Sequence, residues 1–189
     1  MVLIMTLFLT SSLPFGKTLA LLTFLLAALT DYWDGRLARS HYGVTAFGQL
    51  MDPLADKVLI CAAFISFVAM DQIVPAWIVI IIITREFMVT GIRLLAVSQG
   101  HIIPAGRWGK HKTIWQIVVI IVIISGESLR EDIFPLIFNE NTLQTFLTLY
   151  YNRYFSYVTF IISALVAVLT VVSGTIYFWR CRNMVMTDA

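Results

Sequence analysis

Apolar runs of bilayer length recur from one end of this chain to the other, and no other feature narrows its fold as far. Hydrophobic residues make up 59% of the 189 and charged residues only 13%, too few to cover the surface of a soluble domain of this size. A backbone in hydrocarbon must satisfy its own N–H and C=O groups, and continuous helices do so. The expected fold is an all-α integral membrane protein, a bundle of about six transmembrane helices. Residues 1–189 are expected to form one domain. The net charge of +2 is too small to suggest nucleic-acid binding.

The first span covers Met1 to Leu13 and ends in the turn-like Ser11-Ser12-Leu13-Pro14-Phe15-Gly16. Met1 to Thr10 has neither a basic n-region nor a small-residue cleavage site, so no removable signal peptide is expected. The second span runs from Lys17 to Asp34 and on towards Arg39, and the third from Ala46 to Met70. Asp71 and Gln72 break the pattern before Pro75, which suits the first turn of a fourth helix reaching Ser98. A polar, basic loop from Gln99 to Lys112 leads to a fifth span, Thr113 to Ser125. The last span is Tyr154 to Trp179.

Charge position orients the bundle. Arg36 and Arg39 follow the second span, Arg107, Lys110 and Lys112 precede the fifth, and Arg180 and Arg182 follow the last. Lys17, Asp71 and the acidic segment 126–153 fall on the other side, so the positive-inside rule puts the basic connections in the cytoplasm. The segment 126–153 carries Phe134, Phe138, Phe146, Tyr150 and Tyr151 and is expected to lie in the extracytoplasmic interface rather than to hang as a free loop. It shows no catalytic signature.

Inside this apolar frame stand Asp31, Asp34, Asp52 and Asp56. An unpaired charge in such a setting costs several kcal/mol, so something must compensate. At helical spacing Asp31, Asp34, Gly35 and Ala38 fall on one stripe with Arg39 at its edge, and Gly48, Asp52 and Asp56 share a face of the next helix. Carboxylates gathered in this way repel one another unless cations sit between them. With neither His nor Cys at ligand spacing, the all-oxygen set suits one or two ions of Mg²⁺ or Mn²⁺ better than Zn²⁺. Magnesium held by few carboxylates completes its shell with water and substrate phosphate, so the pocket implies a phosphate-bearing ligand facing the cytoplasmic side.

The basic residues point the same way. Arg85 and Arg93 lie two turns apart within the fourth span, on broadly one side, and phosphate binding is favoured over snorkelling for both. Lys110 and Lys112 stand where a helix begins, a place that attracts anions, although cytoplasmic lysines also serve topology alone. For Arg107 snorkelling and function weigh equally, and Lys57 could pair with Glu86 or with the acidic site. His41, His101 and His111 match no nucleophile motif, Cys61 and Cys181 read as core or lipid-facing, and Trp77, Trp108, Trp115 and Trp179 fit interfacial belts.

The string Asp31-x2-Asp34-Gly35-x2-Ala38-Arg39-x8-Gly48-x3-Asp52-x3-Asp56 matches the signature of the CDP-alcohol phosphotransferase family at each defining position. Beyond the motif, the chain resembles the bacterial phosphatidylglycerophosphate synthase branch of that family. The supporting pieces are Asp52-Pro53-Leu54-Ala55-Asp56-Lys57, Thr84-Arg85-Glu86-Phe87, Thr90-Gly91-Ile92-Arg93, Gly109-Lys110-His111-Lys112-Thr113 and Ser173-Gly174-Thr175-Ile176-Tyr177-Phe178. The resemblance is good from Thr30 to Thr113 and loose in the last helix. Two departures stand out. Family members usually open on an amphipathic interfacial segment with a Pro-Asn and a later Arg that is not found here, so the chain is expected to be truncated or to start at an internal methionine. The segment 126–153 is also longer than the resemblance leads one to expect.

The resemblance implies transfer of a phosphatidyl group from CDP-diacylglycerol to sn-glycerol 3-phosphate, with release of CMP. By the same resemblance Asp31, Asp34 and Asp52 hold metal on the pyrophosphate, and Asp56 completes a second metal position and serves as general base. Gly35, Ala38, Arg39 and Gly48 shape the CDP-diacylglycerol pocket, and Arg85, Arg93, Lys110 and Lys112 hold the acceptor's phosphate. The implied partners are these two substrates, membrane lipids and a second copy in a homodimer, and the implied place is the cell membrane, multi-pass, with the active site facing the cytoplasm. Rival readings are a relative using inositol phosphate or phosphatidylglycerol as acceptor, and, from another class, a membrane cation transporter.

Overall fold

The computed structural model describes the backbone of residues 1–41, 46–70, 73–98 and 107–186; within these, side chains are described except at 31, 32, 34–41, 46–56, 97, 98, 107–111 and 180–186. The described residues form helices and no strands, as the apolar runs require. They are α1 (Val2–Thr10), α2 (Gly16–His41), α3 (Ala46–Ala69), α4 (Ala76–Ser98), α5 (Arg107–Ser128), two short helices α6 (Phe134–Ile137) and α7 (Glu140–Phe146), and α8 (Asn152–Met186). Single π-helical turns, Leu129–Ile133 and Leu147–Tyr151, join α5 to α6 and α7 to α8.

Turn chemistry sets the breaks. Between α1 and α2 the chain reverses through Pro14 and Phe15, the latter at φ 61°, and Gly16 follows because a Cβ there would stand 3.1 Å from the Phe8 carbonyl oxygen. Pro75 precedes α4, where the missing N–H is harmless. The fifth helix starts at Arg107, six residues before the expected span, since nothing between 107 and 112 breaks a helix strongly enough to oppose it.

α1 lies along α2, α2 along α5, α5 along α8 and α8 along α4, while α3 packs against α4 and α1. Their shared interior is built from Met5, Leu9, Phe24, Phe64, Phe67, Ile78, Ile82, Ile120, Ile123 and Ile124. The outside is apolar as well: Leu3, Leu22, Ile80, Ile161, Leu165 and Val168 are all exposed. On α8 the distribution is largely the reverse of a soluble helix, for Thr159, Ser163, Thr170 and Ser173 are buried with Val166 while Val158, Leu165, Val168, Leu169, Val171 and Val172 face outward. A periphery of this kind needs lipid around it, and small polar residues at the seams let helices approach closely. By length and composition one helical run among the described residues, Glu140–Trp179, can cross a membrane.

That run corrects one expectation. The second half of the segment 126–153 is not a separate piece, because α7 passes through its π turn directly into α8 with no Pro or Gly between Glu140 and Ser173. The segment is tied down by two sets of contacts. Asp132 accepts from the backbone N–H and the hydroxyl of Thr18, each at 2.7 Å, so the open first turn of α2 finds its acceptor 114 residues away. Lys17 pairs with Glu131 at 3.3 Å and donates to the carbonyls of Leu9 and Ser11 at the end of α1.

Aromatic packing fixes the rest of the segment. Phe134 meets Phe146 at 5.7 Å and Tyr151 at 5.2 Å, edge to face, and Tyr151 stacks on Phe155 at 5.4 Å while its hydroxyl donates to the Gly126 carbonyl at 2.7 Å. A Cβ on Gly126 would stand 2.1 Å from Phe155 Cε2. Gly126→Ala is therefore expected to destabilise the fold by about 1–3 kcal/mol through overpacking, read as a lower melting midpoint in detergent. An unchanged midpoint would mean that the Phe155 ring swings aside freely.

Candidate active site

α2 continues without a break to His41, so Asp31, Asp34, Gly35, Ala38 and Arg39 all stand on helical backbone, and α3 carries Gly48, Asp52 and Asp56 in the same way. The side chains of these eight residues, and of Arg107, Lys110, His41 and His111, lie outside the described residues, as does the whole of His101. No group of three or more metal-ligating residues occurs among the described side chains.

Immediately after Asp56 the side chains are described, and the first of them, Lys57, reaches into a polar cluster buried between α3, α4, α5 and α8. At its centre is Glu86 of α4, 8% exposed. Lys57 Nζ approaches its Oε2 at 3.8 Å, Arg85 Nη1 its Oε1 at 3.5 Å, and Lys112 of α5 pairs with the same Oε1. Gln116, one turn beyond Lys112, donates from Nε2 to Oε1 at 3.4 Å. Thr90 donates to the Glu86 backbone carbonyl at 2.7 Å and receives a hydrogen bond from Lys57. A cavity of about 110 Å³ opens here, lined by Lys57, Ile60, Glu86, Thr113 and Gln116. Roughly 30 Å³ is one water's share of liquid volume, so the space admits a small polar group.

On the other side of α4 the two arginines meet α8. Arg85 Nη2 donates to Ser173 Oγ at 2.9 Å, and Arg93 lies over the ring of Tyr177 with its guanidinium carbon 5.7 Å from the centroid. Ser173 and Tyr177 are four residues apart, hence on one face of α8, so Arg85 and Arg93 line a single seam. Arg93 is exposed, whereas Arg85 and Lys112 are largely buried.

Of the four bases expected to grip phosphate, the structure thus brings Arg85 and Lys112 to one carboxylate, sets Arg93 two turns along the same seam and leaves Lys110 outside the described side chains. Of the two partners open for Lys57, Glu86 is one that it meets. Sequence reasoning did not foresee Glu86 as the common partner of three cations, nor Gln116, Thr90 and Ser173 around them. The available signal was energetic: a carboxylate near the middle of a 23-residue apolar helix must be paired.

Comparison with known proteins identifies the family. The family model for CDP-alcohol phosphatidyltransferase matches residues 1–172. A protein of Rickettsia felis is 31% identical over 184 residues, 96% of this chain and 88% of its own length. The chain belongs to the CDP-alcohol phosphatidyltransferase family. A Bacillus subtilis relative is 45% identical over 109 residues, 58% of this chain and 56% of its own, and a Mycoplasma pneumoniae relative is 40% identical over 99 residues, 52% of this chain and 43% of its own. The chain thus spans about half the length of these two relatives. All three are named CDP-diacylglycerol–glycerol-3-phosphate 3-phosphatidyltransferase. The family assigned from the aspartate string is therefore the family found, and it is one of enzymes, which disfavours the transporter reading.

Proposed function

We propose that this chain is a membrane enzyme that transfers the phosphatidyl group of CDP-diacylglycerol to sn-glycerol 3-phosphate, giving phosphatidylglycerophosphate and CMP. The observation that carries the reading is the position of Lys57. It directly follows Asp56, the last aspartate of the motif, and reaches the cluster that holds Arg85 and Lys112. An acidic half suited to a metal-bound pyrophosphate and a basic half suited to a phosphate-bearing acceptor are thereby joined on one helix. The printed activity of the relatives from three genera supports the same pair of substrates.

The donor set fits a hard divalent cation. Asp31, Asp34, Asp52 and Asp56 offer only carboxylate oxygens, three or four residues apart on helical backbone. When bound, Mg²⁺ or Mn²⁺, as one or two ions, supplies charge neutralisation at the pyrophosphate and polarises the attacked phosphorus. In this reading Asp31, Asp34, Asp52 and Asp56 are the metal ligands. Gly35 and Ala38 keep the backbone accessible to the nucleotide, and with Arg39 and Gly48 they shape its pocket. Arg85, Arg93, Lys110 and Lys112 hold the acceptor phosphate and bring its free hydroxyl to Asp56. Asp56 takes the hydroxyl proton as the new oxygen–phosphorus bond forms and the bond to CMP breaks.

The enzyme is read as one multi-pass domain of the cell membrane. The basic connections support a polar cavity that faces the cytoplasm, where both CMP and the acceptor are soluble. A homodimer is part of the reading.

The decisive test incubates detergent-solubilised protein with CDP-diacylglycerol, Mg²⁺ and, in separate reactions, glycerol 3-phosphate, inositol phosphate, phosphatidylglycerol or serine, with CMP release as readout. Release with glycerol 3-phosphate is expected, and exhaustive chelation should abolish it until Mg²⁺ or Mn²⁺ is restored. Release with another acceptor alone overturns the acceptor assignment. Full activity after chelation overturns the metal assignment.

A further inference from the structure

We propose that Glu86 is a positioning residue for the acceptor half of the site: its carboxylate holds Arg85 of α4 and Lys112 of α5, with Lys57 of α3, in the arrangement that receives the acceptor's phosphate. This rests on the function proposed above. Three cations from three helices share one buried carboxylate, and Lys112 and Arg85 share a single oxygen of it. Without that oxygen the cations would repel each other in an apolar surrounding, and their long stems would regain many rotamers.

The geometry around Arg85 is the most constrained. Nη1 is turned to Glu86 and Nη2 to Ser173, while Nε is a buried donor with no partner among the described residues. Its stem passes where α8 has a glycine: a Cβ on Gly174 would stand 2.9 Å from Arg85 Cγ and 3.4 Å from Nε. Glu86 and Ser173 thus orient the two terminal nitrogens from opposite sides, and Gly174 provides the space between them. The backbone of Glu86 is itself engaged by Thr90, which Lys57 also reaches, so the carboxylate and two of the helices move together. Glu86 touches neither substrate in this account and acts through the bases that it fixes.

The test compares KM for glycerol 3-phosphate and for CDP-diacylglycerol in Glu86→Gln, Glu86→Asp, Gly174→Ala, Arg85→Ala and Lys112→Ala, alongside melting midpoints in detergent. Glu86→Gln should raise KM for glycerol 3-phosphate about tenfold or more and leave that for CDP-diacylglycerol within about twofold. Glu86→Asp keeps the charge but withdraws it by one methylene and should give a smaller rise of the same kind, which serves if the glutamine variant does not fold. Gly174→Ala, with Glu86 intact, should shift the same KM by displacing Arg85. If both Glu86 variants lower only the melting midpoint and leave the two KM values unchanged, Glu86 is merely a structural ion-pair partner and the proposal fails. If Arg85→Ala and Lys112→Ala also leave the acceptor KM unchanged, the phosphate-binding role of these bases fails instead, and with it the basis for positioning.

Discussion

Asp56→Asn is expected to reduce kcat by about 10²–10⁴-fold, the usual contribution of a general base, while CDP-diacylglycerol still protects the protein against thermal unfolding. The amide has the shape of the carboxylate but cannot take a proton from the acceptor hydroxyl. Removing one negative charge from a group of four also relieves repulsion, so loss of activity through misfolding is not the expected route. Measured turnover within tenfold of the parent enzyme would place the base at another residue. Inversion of configuration at phosphorus, read with a chiral phosphorothioate donor, would accompany direct displacement, whereas retention would indicate a covalent aspartyl intermediate.

For Arg93→Ala the expected result is a rise in KM for glycerol 3-phosphate of about 10–100-fold, the range for losing a charge-assisted hydrogen bond of ~1.5–3 kcal/mol. KM for CDP-diacylglycerol should stay within about twofold. Arg93 makes the cleaner test of phosphate binding because it is exposed and rests over the Tyr177 ring, so its truncation strands no buried partner of the kind that Arg85 or Lys112 would leave at Glu86. A parallel rise in both KM values would instead mean that Arg93 serves the donor or the fold.

These two residues also mark how far the chain could be read before its structure was known. Helical segments were legible because each is a local property: an apolar run, a proline at its start, a polar break at its end. Two of the expected ends shifted for local reasons too. α5 extends back to Arg107 across residues that do not oppose a helix, and α7 runs on into α8 because nothing between Glu140 and Ser173 interrupts it. The family was legible for a different reason, since eight positions at set intervals on two helices specify a binding face whatever surrounds them.

The role of Glu86 belongs to the other kind of information. Beside its chain neighbour Arg85, its partners come from positions 57, 112 and 116, and Arg85 is held from position 173, so only the packing of α3, α5 and α8 around α4 brings these within reach. The same holds for Asp132, whose acceptor oxygen serves the first turn of α2 across 114 residues. By itself the sequence determined that the chain forms apolar helices, that four aspartates stand on two of them, and which family those aspartates identify, because periodicity and spacing act along a single helix. Tertiary structure decided which buried charges meet, because an ion in an apolar interior takes whatever partner the crossing helices bring to it.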